Sequence, residues 1–299
     1  MAEPAVLQAV LGDYPHTLAL KTGALTSPEV TLAFTPVEPV HKAFSPMVRR
    51  AAYDLSELAV VTALEAYAYD RPVVLLPAVI ASRLQRGCII YDPRRGPADP
   101  QALADQPIGV RAYTQTTGMW VRAHLAEDYG LPIERMRWIT RDPAHVEEYV
   151  DPPIVEHAAT DKSLPDMLRD GDVKAAILGN DLPKGAEFAP VIPDHKAVDR
   201  AWYARHGFMP INHMVAVSAA AAHNRPEAVR AAYRLIREAD ARTPTPEDGM
   251  RRTLFGFEAL RGPMQTTIDT CARQMLIPGP IAFDDLFAGA RAILGDDGG

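Results

Sequence analysis

Residues 107–127 read PIGVRAYTQTTGMWVRAHLAE. Pro107-Ile-Gly-Val110 is a short apolar run of strand type, Tyr113-Thr-Gln-Thr-Thr117 is a polar loop, and Gly118 to Glu127 carries helical periodicity through Trp120, Val121 and Leu125. Strand, hydroxyl-rich loop and helix in that order aim unpaired backbone N–H groups and side-chain hydroxyls at one spot, which suits a carboxylate. The same alternation recurs on both sides, so this stretch sets the class of the whole chain: α/β.

Upstream, Val6 to Leu11 and Val30 to Pro36 read as strands, Thr17 to Thr22 and Pro39 to Ala52 as helices. Tyr53 to Leu58 is a short buried strand leading into a helix from Thr62 to Tyr69. Val73 to Ile80 is β-branched and apolar throughout, the pattern of a central strand, and Gly87 to Tyr91 is a further strand. After a Pro-rich connection over 93–106, with one helical turn at Asp99 to Leu103, the quoted unit follows. Beyond it the pattern predicts strands at Met136 to Ile139, Val173 to Leu178 and Met209 to Val217. It also predicts a short extended segment at Glu187 to Val191 and a helix over Asp161 to Asp170. From Arg225 onward the chain reads as helical, at Glu227 to Ala239, Met264 to Met275 and Phe283 to Leu294, with Pro226 at a first helical position. The order predicts two lobes with two chain crossings: residues 1–108 with 214–299, and residues 109–213. Two-lobed proteins of this kind take ligands in the cleft between lobes.

The 299 residues, 47% hydrophobic and 23% charged, describe a soluble globular chain with room for a large core. The 27 prolines exceed the usual ~5% and predict many stiff loops. A net charge of −7 argues against a general nucleic-acid binder and leaves open an anionic ligand held by local arginines. Cys88 and Cys271 are too few for a disulfide framework and read as two core thiols. No apolar run reaches the ~20 residues of a membrane span, and residues 1–17 have neither a basic start nor an apolar core. Those features predict a cytoplasmic protein with no membrane partner. HxH, HExxH and CxxC are absent, and His195, His206 and His213 are irregularly spaced, so no metal is expected. No glycine-rich phosphate loop exists either.

Six strings in order resemble one family: Gly12-Asp-Tyr14, Tyr53-Asp-Leu-Ser-Glu57, Ser82-Arg83 with Arg86, the Tyr113 to Arg122 loop, Pro210-Ile-Asn-His213, and Phe255-Gly-Phe-Glu-Ala259. Together, from about Leu7 to Leu276, they resemble the 4,5-dihydroxyphthalate decarboxylase family, cytosolic relatives of type II periplasmic solute-binding proteins. The resemblance implies a type II periplasmic-binding-protein-like fold: two lobes, mixed sheets and an interlobe cleft. It also implies cofactor-free, non-oxidative decarboxylation of a hydroxylated aromatic dicarboxylate. Two other readings stay open. One is a solute-binding protein of an ABC-type transporter, and the other is a cytosolic lyase resembling chorismate dehydratase. Homo-oligomerisation is also left open.

Aromatic decarboxylation needs an acid to protonate the ring carbon, a ring hydroxyl to push electrons, and a clamp for the carboxylates. His213, at a strand start, is the first candidate acid and His16 the second; the bland reading of each is a structural or loop histidine. Glu57 is the candidate base for a phenolic proton. Asp54 and Ser56 are candidate acceptors for ring hydroxyls, although Ser56 equally suits a helix cap. Ser82, Arg83 and Arg86 at the end of the strongest strand, with Tyr113, Thr114, Gln115, Thr116 and Thr117, are the candidate clamp. Asp13, Tyr14 and Asn212 complete the expected substrate contacts.

Overall fold

A computed structural model describes residues 3–97, 99–179 and 182–299. The chain divides into two units, each with its own six-stranded sheet. One holds the chain up to Ser82, Ile211–Asp269 and Ile277–Gly299, and the other holds Arg83–Pro210 and Thr270–Leu276.

In the first unit the elements begin β1 (Ala5–Val10), α1 (Pro15–Lys21), β2 (Val30–Phe34), α2 (Phe44–Arg50), β3 (Leu55–Ala59), α3 (Val60–Ala68) and β4 (Val73–Ser82). In the second unit they are β5 (Ile89–Tyr91), β6 (Pro107–Val110), α4 (Thr116–Tyr129), β7 (Arg137–Thr140), β8 (Val155–His157), α5 (Leu164–Asp170), β9 (Ala175–Ile177), β10 (Ala189–Pro190) and α6 (His195–His206). The remaining elements are β11 (Ile211–Ser218), α7 (Ala219–Asn224), α8 (Pro226–Ala241), β12 (Leu254–Phe255), α9 (Phe257–Arg273), α10 (Phe283–Leu286) and α11 (Ala288–Leu294).

The first sheet runs β12-β4-β11-β3-β1-β2. β1 lies parallel to β2 and β3, while β11 is antiparallel to both β3 and β4, so the sheet is mixed. All five residues of β3 are buried, Ser56 and Glu57 included, and so are Leu75 to Ile80 of β4, whose apolar run is almost unbroken. Pro77 sits inside β4 and has no N–H to give the ladder. The register against β11 slips between Met214↔Val79 and Ala216↔Leu75, where that proline lies. The second sheet runs β10-β5-β9-β6-β7-β8; the pairs β9–β6, β6–β7 and β7–β8 are parallel, and β5 is antiparallel to both β9 and β10.

The first crossing falls after Ser82, not after residue 108 as the sequence suggested. β5 is a three-residue apolar strand that suits either sheet, and it pairs with β9 and β10 in the second unit. The second crossing falls at Pro210, and the Arg83 N–H donates to the Pro210 carbonyl at 3.2 Å. The expected helix over Pro39 to Ala52 is a 3-10 turn followed by the shorter α2, and α9 begins at Phe257, earlier than its periodicity suggested. α4 begins at Thr116 and closes at Gly130, whose φ of +65° is the left-handed geometry glycine tolerates. Both cysteines are buried and free. Among the described residues no helix is long and apolar enough to cross a membrane.

Candidate active site

In the first unit the loop from β1 to α1 approaches the buried face of β3 and β11. Glu57 stands directly opposite Val215 in the β3–β11 ladder, which puts His213, two residues away, on the same face as Glu57. The Glu57 carboxylate is fully buried. It accepts from the Gly12 N–H at 2.5 Å and the Tyr14 hydroxyl at 2.8 Å, and it meets His213 Nδ1 at 2.7 Å. An ionised carboxylate only accepts, so it draws the imidazole proton onto Nδ1 and leaves Nε2 as the nitrogen that can exchange a proton with a ligand. The edge of Phe44 packs on His213, with centroids 5.1 Å apart and planes at 81°. Gly12 leaves room for Tyr14: a Cβ there would lie 2.8 Å from the end of the Tyr14 ring and would push aside the hydroxyl that donates to Glu57.

His16 lies flat against Tyr14, with centroids 5.3 Å apart and planes 8° apart. It is buried, and its Nε2 has no hydrogen-bond partner among the described residues. Burial lowers its pKa below the usual 6.5, partly offset by Asp240, the Ile80 backbone and Glu57. His16 is therefore a neutral imidazole near pH 7.

Other expected contacts of this unit are placed differently. Asp13 is exposed and paired with Lys21. Asp54 accepts from the Gln8 N–H and from Arg225, so its carboxylate is taken up within the fold. The Ser56 hydroxyl is buried and donates to the Glu57 carbonyl at 2.9 Å. Tyr14 spends its hydroxyl on Glu57, which makes it a support for that carboxylate. Ser82 ends β4 half-buried, and Asn212 is buried on β11.

In the second unit the loop before α4 and the residue that opens this unit come together. Arg83 Nη2 donates to the Thr117 hydroxyl. A Cβ on Gly179 would lie 3.0 Å from Arg83 Nη2, 3.3 Å from Gln115 Nε2 and 3.5 Å from Thr117 Oγ1, so these three groups converge on the space a side chain there would fill. Gln115 is the N-cap of α4 in extended conformation, with no side-chain cap on the helix. The first-turn N–H groups therefore lack the hydroxyl cap that a serine or threonine N-cap supplies. Thr114, Thr116 and Thr117 are all buried.

Two expected clamp residues are not at this spot. Arg86 is buried between carboxylates, 2.7 Å from Asp128 and 2.8 Å from Asp199, and its fork is used up holding the fold. Tyr113 is buried with its ring 4.0 Å from the Arg122 guanidinium carbon, and its hydroxyl has no partner among the described residues. Gly179 gave no signal in the sequence, because glycine before a loop is too common to single out. Among the described residues no cluster of three or more His, Cys, Asp or Glu side chains is placed to hold a metal.

No family model matches the chain. It is similar to two curated proteins, each named 4,5-dihydroxyphthalate decarboxylase. That of Comamonas testosteroni is 23% identical over 233 residues, covering 74% of this chain and 70% of the relative. That of Pseudomonas putida is 29% identical over 180 residues, covering 57% and 69%. Among solved structures, the alkanesulfonate-binding protein SsuA of Xanthomonas axonopodis pv. citri, bound to MOPS, aligns at a TM-score of 0.57 with 14% identity over 96% of this chain and 99% of that one. DSZB in complex with biphenyl-2-sulfinic acid aligns at 0.57 with 14% identity, covering 95% and 96%. These likenesses show the fold: an α/β chain with two mixed sheets, of the SsuA periplasmic-binding-protein type.

Proposed function

We propose that this chain is a carboxy-lyase that removes CO2 from a hydroxylated aromatic carboxylate without an organic cofactor, with 4,5-dihydroxyphthalate the first substrate to test. The observation that carries the reading is Glu57, a fully buried carboxylate on a central strand whose three donors include His213 Nδ1 at 2.7 Å. Buried carboxylates are costly, and one that orients an imidazole through Nδ1 is the usual arrangement for acid–base work.

In this reading His213 gives a proton from Nε2 to the ring carbon that bears the departing carboxylate. The ring hydroxyl supplies electron density as the carbon becomes tetrahedral. The C–CO2 bond then breaks, its electron pair returns to the ring, and neutral CO2 leaves. His213 recovers its proton from solvent, so one proton is taken up per turnover. Glu57 stabilises the imidazolium and holds the ring orientation. Considered by itself, the second unit has its own group suited to a carboxylate, made of Arg83, Gln115, Thr117 and the first turn of α4. The names of the two relatives support the substrate class.

The test is direct. Purified protein incubated with 4,5-dihydroxyphthalate should release CO2 and protocatechuate in equal amounts. Tight binding without turnover would replace this reading with a solute-binding role, and neither binding nor turnover would remove the substrate class.

A further inference from the structure

Arg122, on α4, is fully buried, and among the described residues no carboxylate pairs with it. Its Nε donates to Gln274 Oε1 at 2.6 Å and its Nη2 to the Tyr113 carbonyl at 2.7 Å, while Nη1 is buried with no hydrogen-bond partner. Gln274 in turn donates to the Met119 carbonyl at 2.9 Å. The guanidinium carbon lies 4.0 Å from the Tyr113 ring centroid and 5.2 Å from that of Trp138. A Cβ on Gly118 would sit 3.1 Å from Nη1, so the unpartnered nitrogen lies against the first turn of the helix.

Burial alone opposes this charge and lowers the Arg122 pKa; Tyr113, Tyr149, Cys271 and Asp151 oppose that effect. A buried cation whose counter-charge is missing is poor construction for a core, where methionine would fill similar volume. Two ring faces compensate it only in part. Its position supplies a reason. The carbonyl it holds belongs to the loop that carries Gln115, and the turn it underlies opens α4, where Gln115 makes no side-chain cap.

We infer that Arg122 is a positioning residue of the anion site around Arg83, Gln115 and Thr117: it pins the Tyr113 carbonyl and lends an uncompensated positive charge to the first turn of α4. The inference rests on the carboxylate-binding reading of that loop. The ligand anion is then the close counter-ion that Arg122 lacks within the fold, where Asp151 acts on it without pairing.

Inorganic sulfate titrated into 15N-labelled protein, followed at the amides of residues 116–118, measures the site without any turnover. Amide hydrogen exchange at Gln115 and Met119, whose N–H groups donate to Ala112 and Gln115 carbonyls, measures the pinning. Arg122→Met should weaken sulfate binding by on the order of tenfold and speed both exchanges. Arg122→Lys should keep most of the affinity, having kept the charge, yet speed exchange because the fork is lost. Unchanged affinity and unchanged exchange in folded variants overturn the inference, and if the methionine variant does not fold, the lysine variant alone decides it. Sulfate silence in the wild type would sink the anion site while exchange still judges the pinning. Sulfate binding without decarboxylation would sink only the proposed reaction.

Discussion

His213 and Glu57 meet through Nδ1 and Oε1 at 2.7 Å, one from β11 and one from β3, 156 residues apart in sequence. The carboxylate is fully buried, whereas the imidazole side chain keeps 16% of its exposure. That asymmetry is what an acid held by a fixed partner requires. Replacing His213 with Gln should lower kcat by about 10²- to 10⁴-fold and leave KM within a few-fold, read from protocatechuate formation. Glu57→Gln should lose a similar amount, because the amide can turn its NH2 toward Nδ1 and reverse the tautomer. Full turnover in both variants would remove the assignment.

Tyr14→Phe takes one donor from a buried carboxylate without changing ring volume. The expected cost is about 1–3 kcal/mol of stability, measured by urea unfolding. The stack on His16 and the close approach to Gly12 remain, so no larger loss is expected.

The two neighbouring arginines should separate cleanly. Arg83→Ala should weaken binding of a carboxylated ligand at least tenfold with little change in unfolding midpoint. Arg86→Ala should do the reverse. It strands Asp128 and Asp199 around an empty centre and should cost about 3–5 kcal/mol of stability, as removal of one partner from a buried ionic group does. Ligand affinity of the folded fraction should stay near wild type.

Gly179→Ala places a methyl group 3.0 Å from Arg83 Nη2. Nothing in the fold demands glycine for backbone reasons there, so stability should hold while carboxylate affinity falls, by isothermal titration. Unaltered affinity would mean that ligands do not use this space.

What the sequence disclosed follows from how local each signal is. The central strand from Val73 was plain because both its faces are buried, and Glu57 was conspicuous as a charge inside a strand pattern. The helix α6 escaped notice because only Asp199 and Trp202 of its 12 residues are buried, which leaves no apolar stripe. Arg83 and Arg86 looked equivalent three residues apart. What tells them apart is long-range: Asp128 is 42 and Asp199 is 113 positions from Arg86. The unit boundary at Ser82 was hidden for a similar reason, since a three-residue strand such as β5 does not announce its sheet.

His124 gives the molecule a built-in acid sensitivity. It is buried against Trp120 and Trp202 with neither ring nitrogen hydrogen-bonded among the described residues. Burial, then Arg86 and His206, hold its pKa well below 6.5. The folded chain therefore keeps His124 neutral at pH values where the unfolded chain has protonated it. Between pH 6.5 and the lower folded value the unfolded state binds more protons, so stability falls as pH falls, by up to about 1.4 kcal/mol per pH unit for this one group. His16 is shifted in the same direction and adds to the slope. Urea unfolding from pH 7.5 to 5 should show the decline, and His124→Phe, which fills the ring site without a titrating group, should flatten it. A wild-type midpoint that does not move across that range would mean that His124 finds a proton acceptor in solution.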